Sequence, residues 1–179
     1  LFEYKSTKTE ELKNVIENFQ LLKATEFDVC ILRKSFRGFG NKKNIHIWIS
    51  PQDYENSNLM ILLGYILLGH PEWNEAEIKI FSVYNGSDSD NNKEKLYKLI
   101  HEGRLPISPS NIILVNNNEN SKIRKVINKK SDKADLTIVG YKSELIKKQK
   151  NKLFDGYENL GNVMFVNSQS EKEIINTKD

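Results

Sequence analysis

Apolar positions along the chain alternate between a helical period and a strand period. Leu12, Val15, Ile16, Phe19 and Leu22 recur at helical spacing among lysines and glutamates, so an amphipathic helix is expected over 9–25. Thr9 caps it and Glu10 and Glu11 favour its first turn. A short apolar run over 27–32 has strand length, and a basic loop containing Gly38 and Gly40 follows it. Ile45, Ile47 and Ile49 with His46 and Trp48 between them read as a strand, ended by Ser50 and Pro51. The stretch 53–68 reads as a helix whose second half is apolar on every side, which predicts burial all round, with Gly69 and Pro71 at its end. Strands are expected over 78–84, 112–115, 134–141 and 161–166, and helices over 93–101, 119–131 and 143–154. Asn85 to Asp88 reads as a turn.

About six strands separated by helices long enough for crossovers predict an α/β fold: a doubly wound, mostly parallel sheet with helices on both faces. The whole of 1–179 is expected to form a single domain with its core over about 27–167 and a polar, fraying tail over 168–179. In open parallel sheets ligands gather at the carboxyl ends of strands, so those loops are where a site should lie.

Composition narrows the function. The balance of 27 basic against 24 acidic residues, net +3, writes neither disorder nor a strong nucleic-acid field into the chain. Its lone Cys30 lies in an apolar run, as a small buried thiol would, and fits a reducing compartment. No signal peptide is evident, and the longest apolar stretch, 59–69, is well short of the roughly 18 residues a membrane span needs. The chain begins at Leu1 rather than methionine, as expected of a piece of something longer or of a processed chain.

Candidate chemistry is sparse. The loop with Arg33, Lys34, Arg37, Lys42 and Lys43 could wrap a phosphate or lie on an anionic lipid surface, but Gly38-Phe39-Gly40 lacks the spacing and the following helix of a phosphate-binding fingerprint. Solvated loop charge is the simpler reading. His46, His70 and His101 have no metal-ligand spacing, no nucleophile elbow is present, and Asp28 and Asp135 fall at strand starts rather than in an acidic cluster at strand ends. Lys122, Lys125, Lys129 and Lys130, then Lys147, Lys148, Lys150 and Lys152, crowd two helices without a regular stacking platform, so they read as solvated faces and no nucleic-acid partner is expected. No enzyme, cofactor or metal site is expected.

One set of hydrophobic patterns, with no catalytic signature among them, carries a family likeness. The strand Ile45-His46-Ile47-Trp48-Ile49 leads into the leucine-rich run from Asn58 to Leu68, then His70-Pro71-Glu72-Trp73, then Glu77-Ile78-Lys79-Ile80-Phe81. With the later strands Ala134 to Gly140 and Gly161 to Val166, this resembles the C-terminal domain of the cation-chloride cotransporters, prokaryotic members above all, over about 27–167. The resemblance implies a non-catalytic regulatory or dimerisation domain on the cytoplasmic face of the cell membrane, beneath a transporter of ions or of amino acids. Family C-terminal domains consist of two universal-stress-protein-like halves that dimerise, and this chain looks like the second half alone. Its implied partners are the transmembrane domain, the first half and a second protomer. The phosphorylated insertion of animal members is missing between Asn120 and Ala134, so that regulation does not carry over. Met60, Tyr65, Ile66 and Trp73 are the candidate interface residues, because the 59–68 run is too apolar for a helix with one exposed face. The competing reading is a universal-stress-type adenine-nucleotide sensor. Against it, Gly140-Tyr141-Lys142-Ser143 has no second glycine until Gly156, which leaves no phosphate cradle.

Overall fold

The computed structural model describes residues 1–23, 27–51, 54–84, 94, 96, 108–117 and 123–170. Its strands are β1 (Phe2–Lys5), β2 (Val29–Lys34), β3 (Asn44–Ile49), β4 (Glu77–Tyr84), β5 (Ile112–Asn116), β6 (Leu136–Gly140) and β7 (Asn162–Asn167). Its helices are α1 (Thr9–Lys23), α2 (Ser57–Leu68), α3 (Ile123–Lys130) and α4 (Ser143–Gln149). The helix expected over 93–101 is described only at Glu94 and Leu96, both helical, while the turn at 85–88, His101 and Lys122 lie outside the described residues.

All seven strands share one sheet, in the order β1-β2-β7-β6-β3-β4-β5. Strands β5, β4, β3, β6 and β7 run parallel, joined β4 to β5, β3 to β4, β3 to β6 and β6 to β7. This is the doubly wound α/β arrangement expected, and its order reverses between β3 and β6. Two strands depart from the expectation. β2 pairs antiparallel to β7, and β1, which the hydrophobic pattern does not announce, pairs parallel to β2. Only Tyr4 of β1 is buried, with charged Glu3 and Lys5 on either side, so four residues give too short an alternation to read. Glu11 of α1 accepts the Lys5 amide at 2.8 Å, leaving one fewer open donor at this edge.

The alternation on β3 sorts the molecule into two layers. Ile45, Ile47 and Ile49 face α2 and a cluster with Leu136, Ile138, Ile80 and Leu96. Trp48 faces the other layer, where Phe19 of α1, Ile127 of α3 and Ile146 of α4 meet Phe81 and Phe165. Gly64 lets α2 lie close on the sheet: a Cβ there would stand 3.0 Å from the Ile47 Cδ1. The core therefore reaches back beyond residue 27 to Tyr4, Leu12, Val15, Ile16 and Phe19. It also runs into the start of the expected tail, where the buried Ser168 gives its amide to the Asn56 side chain at 2.6 Å.

Burial of α2 all round does not hold. Met60 and Ile61 are sealed, but Tyr65 and Ile66 are 42% and 59% exposed, so the helix leaves one apolar stripe open to solvent. The helix expected over 143–154 stops at Gln149 and continues as the 3-10 turn Lys150–Leu153, because Lys150 takes φ +47° and ψ −129° and reverses the backbone.

Candidate functional site

The switch between β3 and β6 opens a crevice at the carboxyl ends of the strands. Trp48 and Ser50 from β3 and its loop, Gly140 to Lys142 after β6, and Ile123 and Arg124 of α3 line it, enclosing about 160 Å³. Side-chain amides stitch its rim. Asn56 and Asn167, both buried, donate to the Tyr141 carbonyl at 3.1 and 3.0 Å, and the Tyr141 amide donates to the Val166 carbonyl at 3.0 Å. The backbone after β6 is thereby committed to the fold, leaving the Tyr141 N–H unavailable to a phosphate. Neither asparagine stands out in sequence; the polar start Asn56-Ser57-Asn58 of an otherwise apolar helix is the one signal that could have flagged the first.

Arg124 is committed too. Its guanidinium donates to the carbonyls of Lys152 and Asp155 at 3.0 Å each and of Leu153 at 3.1 Å, and lies 5.7 Å from the centre of the Tyr157 ring. Of the two cations lining the crevice, Arg124 serves to fold the turn after α4, and Lys142 pairs with Glu55 at 3.9 Å. At about 160 Å³ the crevice falls below the roughly 300–1,000 Å³ of sites that engulf drug-sized ligands.

Beneath the crevice lies a polar hub that sequence reading missed. Ser131, fully buried at the end of α3, takes a hydrogen bond from Trp48 Nε1 at 2.9 Å and pairs its Oγ with His46 Nδ1 at 2.9 Å. Burial, with Lys79 beside it in register on β4, pushes the His46 pKa down to about 4, so its ring is neutral near neutral pH. Trp48 stacks on Phe81 with ring centres 4.4 Å apart, and His46 packs on the same ring at 5.0 Å. A serine hydroxyl with no exposed surface cannot attack a solute, so this pair locks α3 onto the sheet. Among the described residues no group of three or more His, Cys, Asp or Glu side chains could hold a metal ion. Cys30 is half-buried, and desolvation raises its pKa.

The basic loop is not at the crevice. Because β2 runs against its neighbour β7, residues 35–43 lie at the amino ends of β3, β6 and β7, the opposite end of the sheet. There Asp135 accepts the amides of Asn41, Lys43 and Asn44 at 3.2, 2.8 and 2.9 Å, and Gly40, at φ +51°, stands so close that a Cβ would meet its carboxylate at 2.2 Å. The loop's cations have internal partners. Arg33 is buried and donates to the Gly161 carbonyl, Arg37 to the Asp132 carbonyl, and Lys34, Lys42 and Lys43 pair with Glu3, Glu72 and Glu75. Phe36 is the large apolar side chain of this loop that stands clear, at 88% exposed.

Of the interface candidates, Met60 and Trp73 are sealed within the chain's own core, Trp73 edge-on to Phe39 with ring centres 5.7 Å apart. Tyr65 and Ile66 remain open on α2. The lysines after β6 form a third feature: a groove between α1 and α4, floored by Ile16 and Ile146 and walled by Lys147, Lys148, Lys150 and Lys152.

No protein-family model matches the chain, and no curated protein does either. Among solved structures the fold is similar to the cytoplasmic domain of a prokaryotic cation chloride cotransporter, with a TM-score of 0.60 at 18% identity over 97% of this chain. At that identity the likeness concerns the fold. The chain spans 65% of the length of that domain.

Proposed function

We propose that this chain is a non-catalytic regulatory or dimerisation part of the cytosolic domain of a cation-chloride cotransporter or amino acid permease-like transporter, on the cytoplasmic face of the cell membrane. The observation that carries the reading is the match of 97% of the chain to a transporter's cytoplasmic domain that is itself longer. Among the described residues no helix is long and apolar enough to cross a membrane, so transport by the parent would rest on residues beyond these. The open stripe at Tyr65 and Ile66 supports an assembly role, because an apolar helix face left wet is a common mark of a protein contact. Its occupant would be the preceding half of the same cytosolic domain, the membrane domain or a second protomer.

Sedimentation velocity over a range of concentrations tests the assembly role. The wild-type chain is expected to associate and Ile66→Glu to remain monomeric. A wild-type chain that stays monomeric at every concentration would contradict self-association through α2.

The competing reading, an adenine-nucleotide sensor, has the switch-point crevice in its favour and the commitments of Arg124 and the Tyr141 amide against it. Thermal unfolding with millimolar ATP, ADP or AMP is expected to show no shift. A ligand at one hundred times its dissociation constant would stabilise by about 2.7 kcal/mol, a rise of a few degrees that would reverse the preference.

A further inference from the structure

We infer that the groove between α1 and α4 is a docking surface for an anionic membrane, and that Lys147, Lys148, Lys150 and Lys152 carry the contact. These four lysines are exposed within a span of six residues on one wall of the groove. Among the described residues, their side chains form no ion pair and no hydrogen bond. Lys13 across the groove is paired with Glu10 at 3.7 Å, and Glu17 is the one acidic residue among those lining it. The result is a concentration of positive charge that the fold itself does not use.

Three features select the partner. The groove has no aromatic side chain on which bases could stack, which disfavours nucleic acid. It has no arginine and no buried donor converging on a point, as a site for one discrete phosphate would. What it offers is a row of compact ammonium groups on flexible stems, suited to an array of headgroups, with each lysine near an anionic leaflet worth about 1 kcal/mol.

The row is also held in place. Arg124 clamps the carbonyls of Lys152, Leu153 and Asp155, and Lys150 keeps φ at +47°, a conformation natural to glycine. A glycine there would relax the backbone and remove a charge. The groove opens on the α1, α3 and α4 layer, whereas the apolar stripe of α2 lies on the other layer, so the two surfaces can be occupied at once.

The inference rests on the reading above only in placing a membrane nearby, and its test separates the two. The chain is sedimented with phosphatidylcholine vesicles alone and with vesicles also containing phosphatidylserine. Binding is expected only to the anionic vesicles, lost as salt rises from about 0.1 M to about 1 M and the screening length falls from about 10 Å to about 3 Å. Partitioning should weaken about five-fold for each lysine removed, so Lys147→Gln, Lys148→Gln, Lys150→Gln and Lys152→Gln combined should abolish it. The variant Phe36→Ala, Lys34→Gln, Lys42→Gln and Lys43→Gln should bind as wild type, with melting curves confirming that both variants are folded.

Equal binding to neutral vesicles, loss in the loop variant rather than the groove variant, or displacement by RNA or inositol hexakisphosphate at concentrations that leave vesicles intact would each overturn the inference. Failure on vesicles with α2-mediated association intact would remove this inference and leave the transporter reading standing.

Discussion

The two basic regions of this chain look alike in sequence and differ in the fold. Residues 33–43 and 147–152 each crowd several cations into a short stretch. In the first, every cation has an internal partner, and Asp135 ties down the backbone between them. In the second, four lysines face solvent from the end of α4 and the turn after it, which Arg124 holds from behind. Charge density alone does not mark a binding surface. What counts is whether the topology brings acids and carbonyls to meet it, and the reversal of β2 does so for the first region by carrying it to the amino ends of β6 and β7.

Four changes would break or sharpen that contrast. The largest effect is expected at Asp135→Ala, which deprives three amides of a charged acceptor and should cost about 4 kcal/mol in denaturant unfolding. A loss below about 1 kcal/mol would mean that the loop is not anchored as described.

Next comes pH. His46 is neutral in the fold, with a pKa of about 4 against about 6.5 unfolded, so the unfolded chain binds its proton first as pH falls. Its contribution is fully present above about pH 6.5 and is lost progressively down to about pH 4, to an extent of about 3 kcal/mol. His46→Gln should flatten the stability profile in that window; an unchanged profile would contradict the assignment. This residue and Ser131 join the two regions, because Ser131 ends the helix that carries Arg124 and precedes the Asp132 carbonyl that receives Arg37.

Third, Arg124→Ala should cost about 2 kcal/mol in the same unfolding assay and loosen the lysine turn, read as faster amide exchange over 150–156. Smallest is Lys150→Gly, which relieves a positive φ and should stabilise by about 1 kcal/mol, raising the melting temperature by a few degrees. A decrease would show that the turn is not strained.

The central parallel set was legible because its strands carry β-branched runs and are spaced by helical periods: β3 through β7 lie within a residue or two of where the pattern puts them. β1 was not, having one buried residue in four, and the reversal of β2 is a matter of pairing, which hydrophobic periodicity does not encode. α2 was readable as a helix but not in its environment, since an all-apolar run gives no polar stripe to mark the wet side, and Tyr65 and Ile66 fall on that side. The crevice hub was hidden for another reason. Ser131, His46 and Asn56 become partners only when distant segments meet, His46 with Ser131 across 85 positions and Asn56 with Ser168 across 112. Nor could the sequence separate the two lysine-rich regions, because the acids that neutralise the first come from two segments distant from it, Glu3 from β1 and Glu72 and Glu75 from the turn before β4.

The most direct test of the central claim is where the native polypeptide resides. Antibodies raised against this chain, used on fractionated cells washed with alkaline carbonate, should detect a band well above 20.8 kDa that stays with the integral membrane fraction. A band near 20.8 kDa in the soluble fraction would contradict the account and make the chain an independent protein rather than part of a transporter.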